Sequence, residues 1–373
     1  MAFQAALATV AAFGLSAAKG APLSTDGMGG VDVPSVAQLQ EMHANDYILH
    51  ARGGELTQVS VNKTLLPHDP QGGVQLVEAA LAADGTVYVS RKSIICKSTD
   101  GGRTWTSHPR GSGPEGSNFR ILSDGTFVGV SGSEGNTRPM EVWSSADEGR
   151  NWQKISEIDV SAQYGTYANR YMSGLSQLSD GTLLLPIDFR SDTVWTALLY
   201  SSSNGGMTWQ GPARVSDWWA GAEGNIIETA SGKLLATMRH QNIAYTYKNV
   251  FLADSEDKGQ TWENVRQLTT VFGQTRGYAA ALGDGTVVLV HDTRYGPGGP
   301  GSRAMISLDE GKTWEDEVYY LDYSSAPGSY NASVVLEDDL ILTITGSIKP
   351  GGDPREPADM VAIRWQLPAA PIP

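Results

Sequence analysis

One cysteine, Cys96, stands in a chain of 373 residues. An intramolecular disulfide is thereby excluded, and the apolar run "SIICKS" around the residue reads as a buried structural thiol rather than a nucleophile. Charge is scarce too: 18% of residues are charged, 27 Lys and Arg stand against 41 Asp and Glu, and the formal net charge is −14. No basic patch gathers the few cations, so the driving force for binding a phosphate backbone is missing and nucleic acid is excluded as a partner. Beyond the leader, no run reaches the roughly 18 apolar residues that a membrane span needs. His-x-x-x-His, paired cysteines and a Gly-rich phosphate loop are also lacking, so no cofactor and no metal are expected.

Glycine (43) and tryptophan (10) are what the chain has in plenty, and with so few charges they favour many short strands joined by turns over long charged helices. An all-β fold is the starting expectation. The opening "MAFQAALATVAAFGLSAAKGAP" has an apolar run of signal-peptide length followed by small residues, without a basic n-region. Residues 1–20 read as a signal peptide of a secreted, extracellular protein, with a disordered Ala-rich leader as the alternative. Residues 21–54 do not read as repeat structure; "PSVAQLQEMHAND" within them suits a short helix in a pro-segment or cap.

The remainder, 55–367, is repetitive. "KSTDGGRTW" returns as "SSADEGRNW", "SSSNGGMTW", "DSEDKGQTW" and "SLDEGKTW", each a Ser-x-Asp-x-Gly-x-x-Trp turn, with Asn204 in place of Asp in the third and Asn151 in place of Thr in the second. The first serines, Ser98, Ser145, Ser202, Ser255 and Ser307, are 47, 57, 53 and 52 residues apart. A Gly-bearing hairpin signal precedes each turn, at Asp84-Gly85, Asp124-Gly125, Asp180-Gly181, Ser231-Gly232 and Asp284-Gly285, and a sixth copy at Asp338-Asp339 follows the last. Gly at such a turn supplies the positive φ that tight hairpins require. Units of about 50 residues with several strands each have the period of propeller blades, which bury both faces of every sheet by stacking radially. The expected fold is a six-bladed β-propeller of four-stranded antiparallel blades. "MVAIRWQL" and an early strand, "LTQVSVNKTLL", are expected to complete the sixth blade.

These turns resemble the Asp box, and five of them at blade spacing resemble the sialidase (neuraminidase) superfamily over residues 72–367. In that superfamily the boxes are scaffold, which makes Asp100, Asp147, Asp257 and Asp309 structural. The repeat supplies a ruler for the rest. Nine residues back from the second hairpin residue lie Glu223, Arg276 and Tyr330, at equivalent places on the innermost strands. Seven residues forward lie Lys92, Gly132, Asp188, Arg239, Asp292 and Gly346. "EGNIIETASGKLLATMR" resembles the sialidase segment in which a Glu precedes an Arg at the end of the next strand, implying roles for Glu223 and Arg239. "GSYNASVVL" resembles the segment of the nucleophilic Tyr, implying Tyr330. "GSRAMISLDEG" matches an Arg before the fifth box, Arg303, with Arg294 in "HDTR" as a rival.

The chemistry explains such a set. A phenol with a pKa near 10 needs a carboxylate to take its proton, which Glu223 can do, and arginines hold an anionic sugar's carboxylate through paired hydrogen bonds. Sialidases are exceptions to the two-carboxylate rule for glycosidases. The sequence also departs from the family pattern. Gln75 stands near the place of the first-blade Arg, the loop that carries the general-acid Asp is missing, and Gly346 replaces a Glu. Asp188, Asp292 and His291 or His240 are then the candidate proton donors. Arg170 reaches the channel from the third unit, and Trp219 beside Glu223 can floor a sugar subsite. The resemblance implies an exo-glycosidase on oligosaccharides or polysaccharides ending in an acidic sugar. A uronate-directed lyase and a non-catalytic glycan-binding propeller remain open beside it.

Overall fold

The computed structural model describes residues 33–71, 78–114, 119–131, 139–159, 169–172, 174–190, 195–216, 220–221, 223–241, 248–295, 298–323, 330–347 and 359–368. The expected leader, 1–20, lies outside them, as does Trp219. Six antiparallel sheets follow one another along the chain as the blades of a propeller. Blade 5 can stand for all: the inner strand Gln274–Ala281 turns at Asp284-Gly285 into Val287–Thr293, then Gly301–Ser307, then Glu317–Tyr323. Hairpins and Asp-box turns therefore share one end of the ring, and the starts of the inner strands open at the other.

Each Asp box is a closed set of hydrogen bonds. In the first, Ser98 Oγ donates to Asp100 Oδ1 at 2.8 Å and accepts from Gly102 N at 2.8 Å, while Asp100 Oδ1 and Oδ2 accept from Thr104 N and Oγ1 at 2.9 and 2.6 Å. Hydrogen bonds from Asn151 and Ser145 hold the Asp147 carboxyl down at about 2, so it stays an ionised acceptor at any working pH. The box glycine serves twice: Gly259 has φ +85°, and a Cβ there would sit 2.6 Å from Leu199 Cδ2 of the preceding blade. The box indoles Trp105, Trp152, Trp209, Trp262 and Trp314 each pack into the core between their own blade and the one before. Between blades 5 and 6, where no box falls, the buried Trp365 supplies the indole instead. Cys96 is a buried member of one of these cores, its thiol pushed up by burial to about 12, as a structural thiol should be.

The ring is closed by the early chain. Asn62–Leu65 pairs with Asp359–Trp365 as the outer strand of blade 6. The rest of the expected closing strand goes elsewhere: Glu55–Ser60 forms a hairpin with Tyr47–Arg52, which pairs with Glu317–Tyr323 and extends blade 5 to six strands. The boundary expected at residue 54 thus falls inside a hairpin, because Gly53 and Gly54 take the positive φ of its turn. The helix Val36–His43 is capped by Ser35 and Gln38 in a capping box and buries Leu39 and Met42 against Leu49 and Tyr320. Among the described residues no helix is long and apolar enough to cross a membrane.

Candidate active site

Three inner positions, Glu223, Arg276 and Tyr330, meet Arg239 of the next strand at the open end of the channel, on blades 4, 5 and 6. Glu223 is placed by its successor: a Cβ on Gly224 would lie 2.0 Å from the Thr237 carbonyl, so only glycine lets the chain run this close to the neighbouring strand. Asn225 N donates to Thr237 Oγ1 at 2.9 Å, and Thr237 Oγ1 donates to Gly277 O of blade 5 at 2.6 Å. Arg239, two residues after Thr237, donates from Nη1 to Glu223 Oε2 at 2.6 Å. Arg276 lies in a β-bulge, where the register of Gln274–Ala281 shifts between Thr275 and Tyr278, and its φ is +56°. This left-handed conformation is unfavourable for a non-glycine residue and aims the side chain inward. Arg276 Nε also bonds Glu223 Oε2, and its guanidinium lies 3.3 Å from the centre of the Tyr330 ring. Tyr330 Oη donates to the other carboxylate oxygen, Oε1, at 3.2 Å.

Electrostatics follow from this packing. Burial pushes the Glu223 carboxyl up, but Arg239 and Arg276 outweigh it and hold the group below its ordinary value. Burial, and then Glu223, push the Tyr330 phenol up. At rest the site therefore holds a carboxylate and a neutral phenol joined by one hydrogen bond. Arg294 donates from Nε to Asp292 Oδ2 at 2.9 Å, and its charge acts on both Glu223 and Tyr330. Burial drives Asp292 up to about 6 in spite of Arg294 and Arg276. Lys248, at the start of Lys248–Ser255, is brought down to about 8 by burial and by the repulsion of Arg294, Arg239 and Arg276. Four cationic side chains thus surround two carboxylates in a chain whose overall charge is strongly negative.

Of the expected residues, Glu223, Arg239, Arg276 and Tyr330 come into mutual contact, and Arg294 and Asp292 stand beside them. Arg303 does not join them: its guanidinium lies 4.8 Å from the centre of the Tyr320 ring and Nη2 donates to Gly299 O, with no contact to Glu223 or Tyr330 among the described residues. Strand parity decides this, since Arg303 faces the same side as its partners His291 and Tyr320, whereas Asp292 faces Ser302 on the other. Asp292 is 0% exposed and His291 2%, so neither presents an acid at the open surface. His240 is lowered by burial to about 4 and is a neutral ring against Phe251. Asp188 and Arg170 are backbone partners of Ala197 and Phe189 in blade 3, and their side chains lie outside the described set.

Sequence reasoning missed Lys248 and a second buried cluster deeper in the channel. Arg120 of blade 2 donates to Glu78 of blade 1 at 3.0 Å and to the Tyr278 hydroxyl of blade 5 at 3.1 Å, tying three blades across the axis. Burial pushes Glu78 up against the pull of Arg120 and takes Tyr278 up to about 12. The signal was present: seven residues back from Gly85 and Gly285, rather than nine, lie Glu78 and Tyr278.

Residues 122–344, more than half of the chain, match the family described as BNR repeat-like domain. Among solved structures, a protein of unknown function from Dyadobacter fermentans is similar at TM-score 0.60 and 18% identity, over 81% of this chain and 97% of that one. An α-L-arabinanase from Penicillium chrysogenum, solved with arabinobiose, is similar at TM-score 0.57 and 13% identity, over 82% of this chain and 98% of that one. The intramolecular trans-sialidase from Ruminococcus gnavus, solved with oseltamivir carboxylate, gives 0.54 and 13%, over 79% and 94%. Identities this low carry the fold alone. No curated protein matches the sequence.

Proposed function

Because the chain belongs to the BNR repeat-like domain family and carries a Tyr–Glu–Arg constellation at the mouth of its channel, we propose that it is a glycoside hydrolase acting on the acidic end sugar of a glycan. The observation that carries this reading is the pair of Tyr330 and Glu223, with Tyr330 on one carboxylate oxygen and two arginines on the other. Tyr330 Oη attacks the anomeric carbon, its proton passes to Glu223, and the bond to the leaving-group oxygen breaks. Arg276 over the ring favours the negative charge that grows on the phenol oxygen. Water then displaces the tyrosine, which recovers its proton from Glu223. Asp188, at the open end of its strand, is the proposed donor to the leaving group and the base for that water.

The cationic lining supports an anionic sugar, since an uncharged ring would leave Arg239, Arg276, Arg294 and Lys248 repelling one another around only two carboxylates. A substrate carboxylate would compete with Glu223 for Arg239 and Arg276, and a Glu223 freed from them becomes a stronger base for the Tyr330 proton. Export by the apolar leader belongs to the same proposal, and the N-terminal sequence of protein recovered from the culture medium tests it.

The activity is tested by incubating the protein with sialylated, uronate-capped and neutral glycans while following reducing sugar and ultraviolet absorbance. New reducing ends without unsaturated product are expected from one of the acidic glycans. An ultraviolet-absorbing product contradicts hydrolysis in favour of elimination, and binding without turnover contradicts an enzyme.

A further inference from the structure

We propose that Phe272 and Tyr295 form a stacking platform for the second sugar of the substrate, the pyranose ring on the leaving-group side of the scissile bond. This inference rests on the proposed function and adds to it a subsite for a second ring. Among the described residues the exposed large hydrophobic side chains are Val36, Leu65, Leu81, Met207 and Leu308, which are aliphatic, and these two aromatics, Phe272 at 38% and Tyr295 at 52%. Single aliphatic side chains at a surface need no explanation; two aromatic rings stacked on each other in solvent do. Their centroids are 5.7 Å apart and their planes 26° from parallel.

The rings sit where a glycan would leave the cationic site. Phe272 is separated only by Gly273 from the inner strand Gln274–Ala281 that carries Arg276, and Tyr295 directly follows Arg294. The connection that enters blade 5 from blade 4 is bonded to the site's own backbone: Gly273 N donates to Lys248 O at 2.9 Å, and Arg294 N donates to Gly273 O at 3.1 Å. Gly273, at φ +88°, is fitted to the arrangement, because a Cβ there would lie 2.6 Å from Tyr295 Cδ2 and 3.3 Å from Arg294 Cβ. The platform is thus fixed to two of the four cations and lies outward of them at the rim of blade 5. A sugar whose carboxylate is held by the arginines places its neighbour there. The apolar face of a pyranose covers the exposed aromatic surface, and the Tyr295 hydroxyl offers a hydrogen bond to the ring's edge.

The test is calorimetric titration of the full chain with an acid-terminated disaccharide and with the methyl glycoside of the same acid sugar, in a sialyl and a glucuronyl series, using Tyr330→Phe protein to prevent turnover. In one series the disaccharide is expected to bind about tenfold tighter than the methyl glycoside, in keeping with one well-placed aromatic stack. Tyr295→Ala and Phe272→Ala should each erase that advantage and leave methyl glycoside affinity unchanged, while Tyr295→Phe, which keeps the ring, should retain most of it. Methyl glycosides that bind as well as their disaccharides, or variants that weaken both ligands alike, overturn the platform alone. If no acid glycoside of either series binds, the proposed function fails and the platform falls with it.

Discussion

Replacing Asp292 with Asn should stabilise this protein near neutral pH and do nothing in acid. The side chain is fully buried, and only one of its oxygens, Oδ2, has a partner, while Oδ1 accepts no hydrogen bond among the described residues. Burial raises its pKa from 3.8 to about 6 against the attraction of Arg294 and Arg276. The folded state therefore holds the proton more tightly than the unfolded chain does. Stability is retained below the unfolded value and is lost as pH rises through the folded one, the reverse of the usual salt-bridged aspartate. A rise of roughly two pKa units corresponds to about 3 kcal/mol lost above pH 6. Asn keeps the shape and an acceptor for Arg294 without a charge to bury, so the gain over wild type should approach that value at pH 7.5 and vanish near pH 4. Urea unfolding of both proteins across that range measures it. A stability difference that stays flat with pH, or a variant that is weaker at neutral pH than in acid, would refute a strained carboxylate at this position.

Other expectations follow from the same geometry. Gly259→Ala, which forces a Cβ onto Leu199 at a positive φ, should cost about 1–3 kcal/mol in denaturant unfolding, and an Ala variant of wild-type stability would remove the packing role given to box glycines. Lys248 should lose its charge near pH 8, so KM for an anionic substrate should climb above that pH. In Lys248→Met, KM should already be raised at pH 7 and show no alkaline limb; matching pH profiles would take Lys248 out of the site. Arg120→Met should destabilise the fold by roughly 3–5 kcal/mol, the usual consequence of leaving a buried carboxylate such as Glu78 without its partner, and unchanged unfolding would deny the cross-channel tie.

The fold was legible because its signals are local. A box needs Ser, Asp, Gly and Trp at fixed offsets to close its hydrogen bonds and reach the neighbouring blade, so the repeat marks the third-to-fourth strand turn of blades 1 to 5. The same spacing led to Glu223, Arg276 and Tyr330, which occupy equivalent inner positions. It did not separate Arg294 from Arg303. Both flank the same blade, and only strand parity, with the reach of a side chain past the strand end, places Arg294 among the site cations and Arg303 over Tyr320. Lys248 carries no motif; its part comes from standing at the start of its strand, where its carbonyl accepts from Gly273 N beside the site. The division of the early chain between blades 5 and 6 was likewise hidden, because both parts alternate like strands and only the pairing partners tell them apart.

Whether Tyr330 forms the proposed covalent bond to the sugar can be read by mass spectrometry of a trapped intermediate. The acidic glycan that is turned over would be fluorinated beside the anomeric carbon to slow the second step, and the protein digested after brief incubation. One added sugar is expected on the peptide that contains Tyr330, and none in Tyr330→Phe. A label on another residue, or steady turnover by Tyr330→Phe, would contradict it.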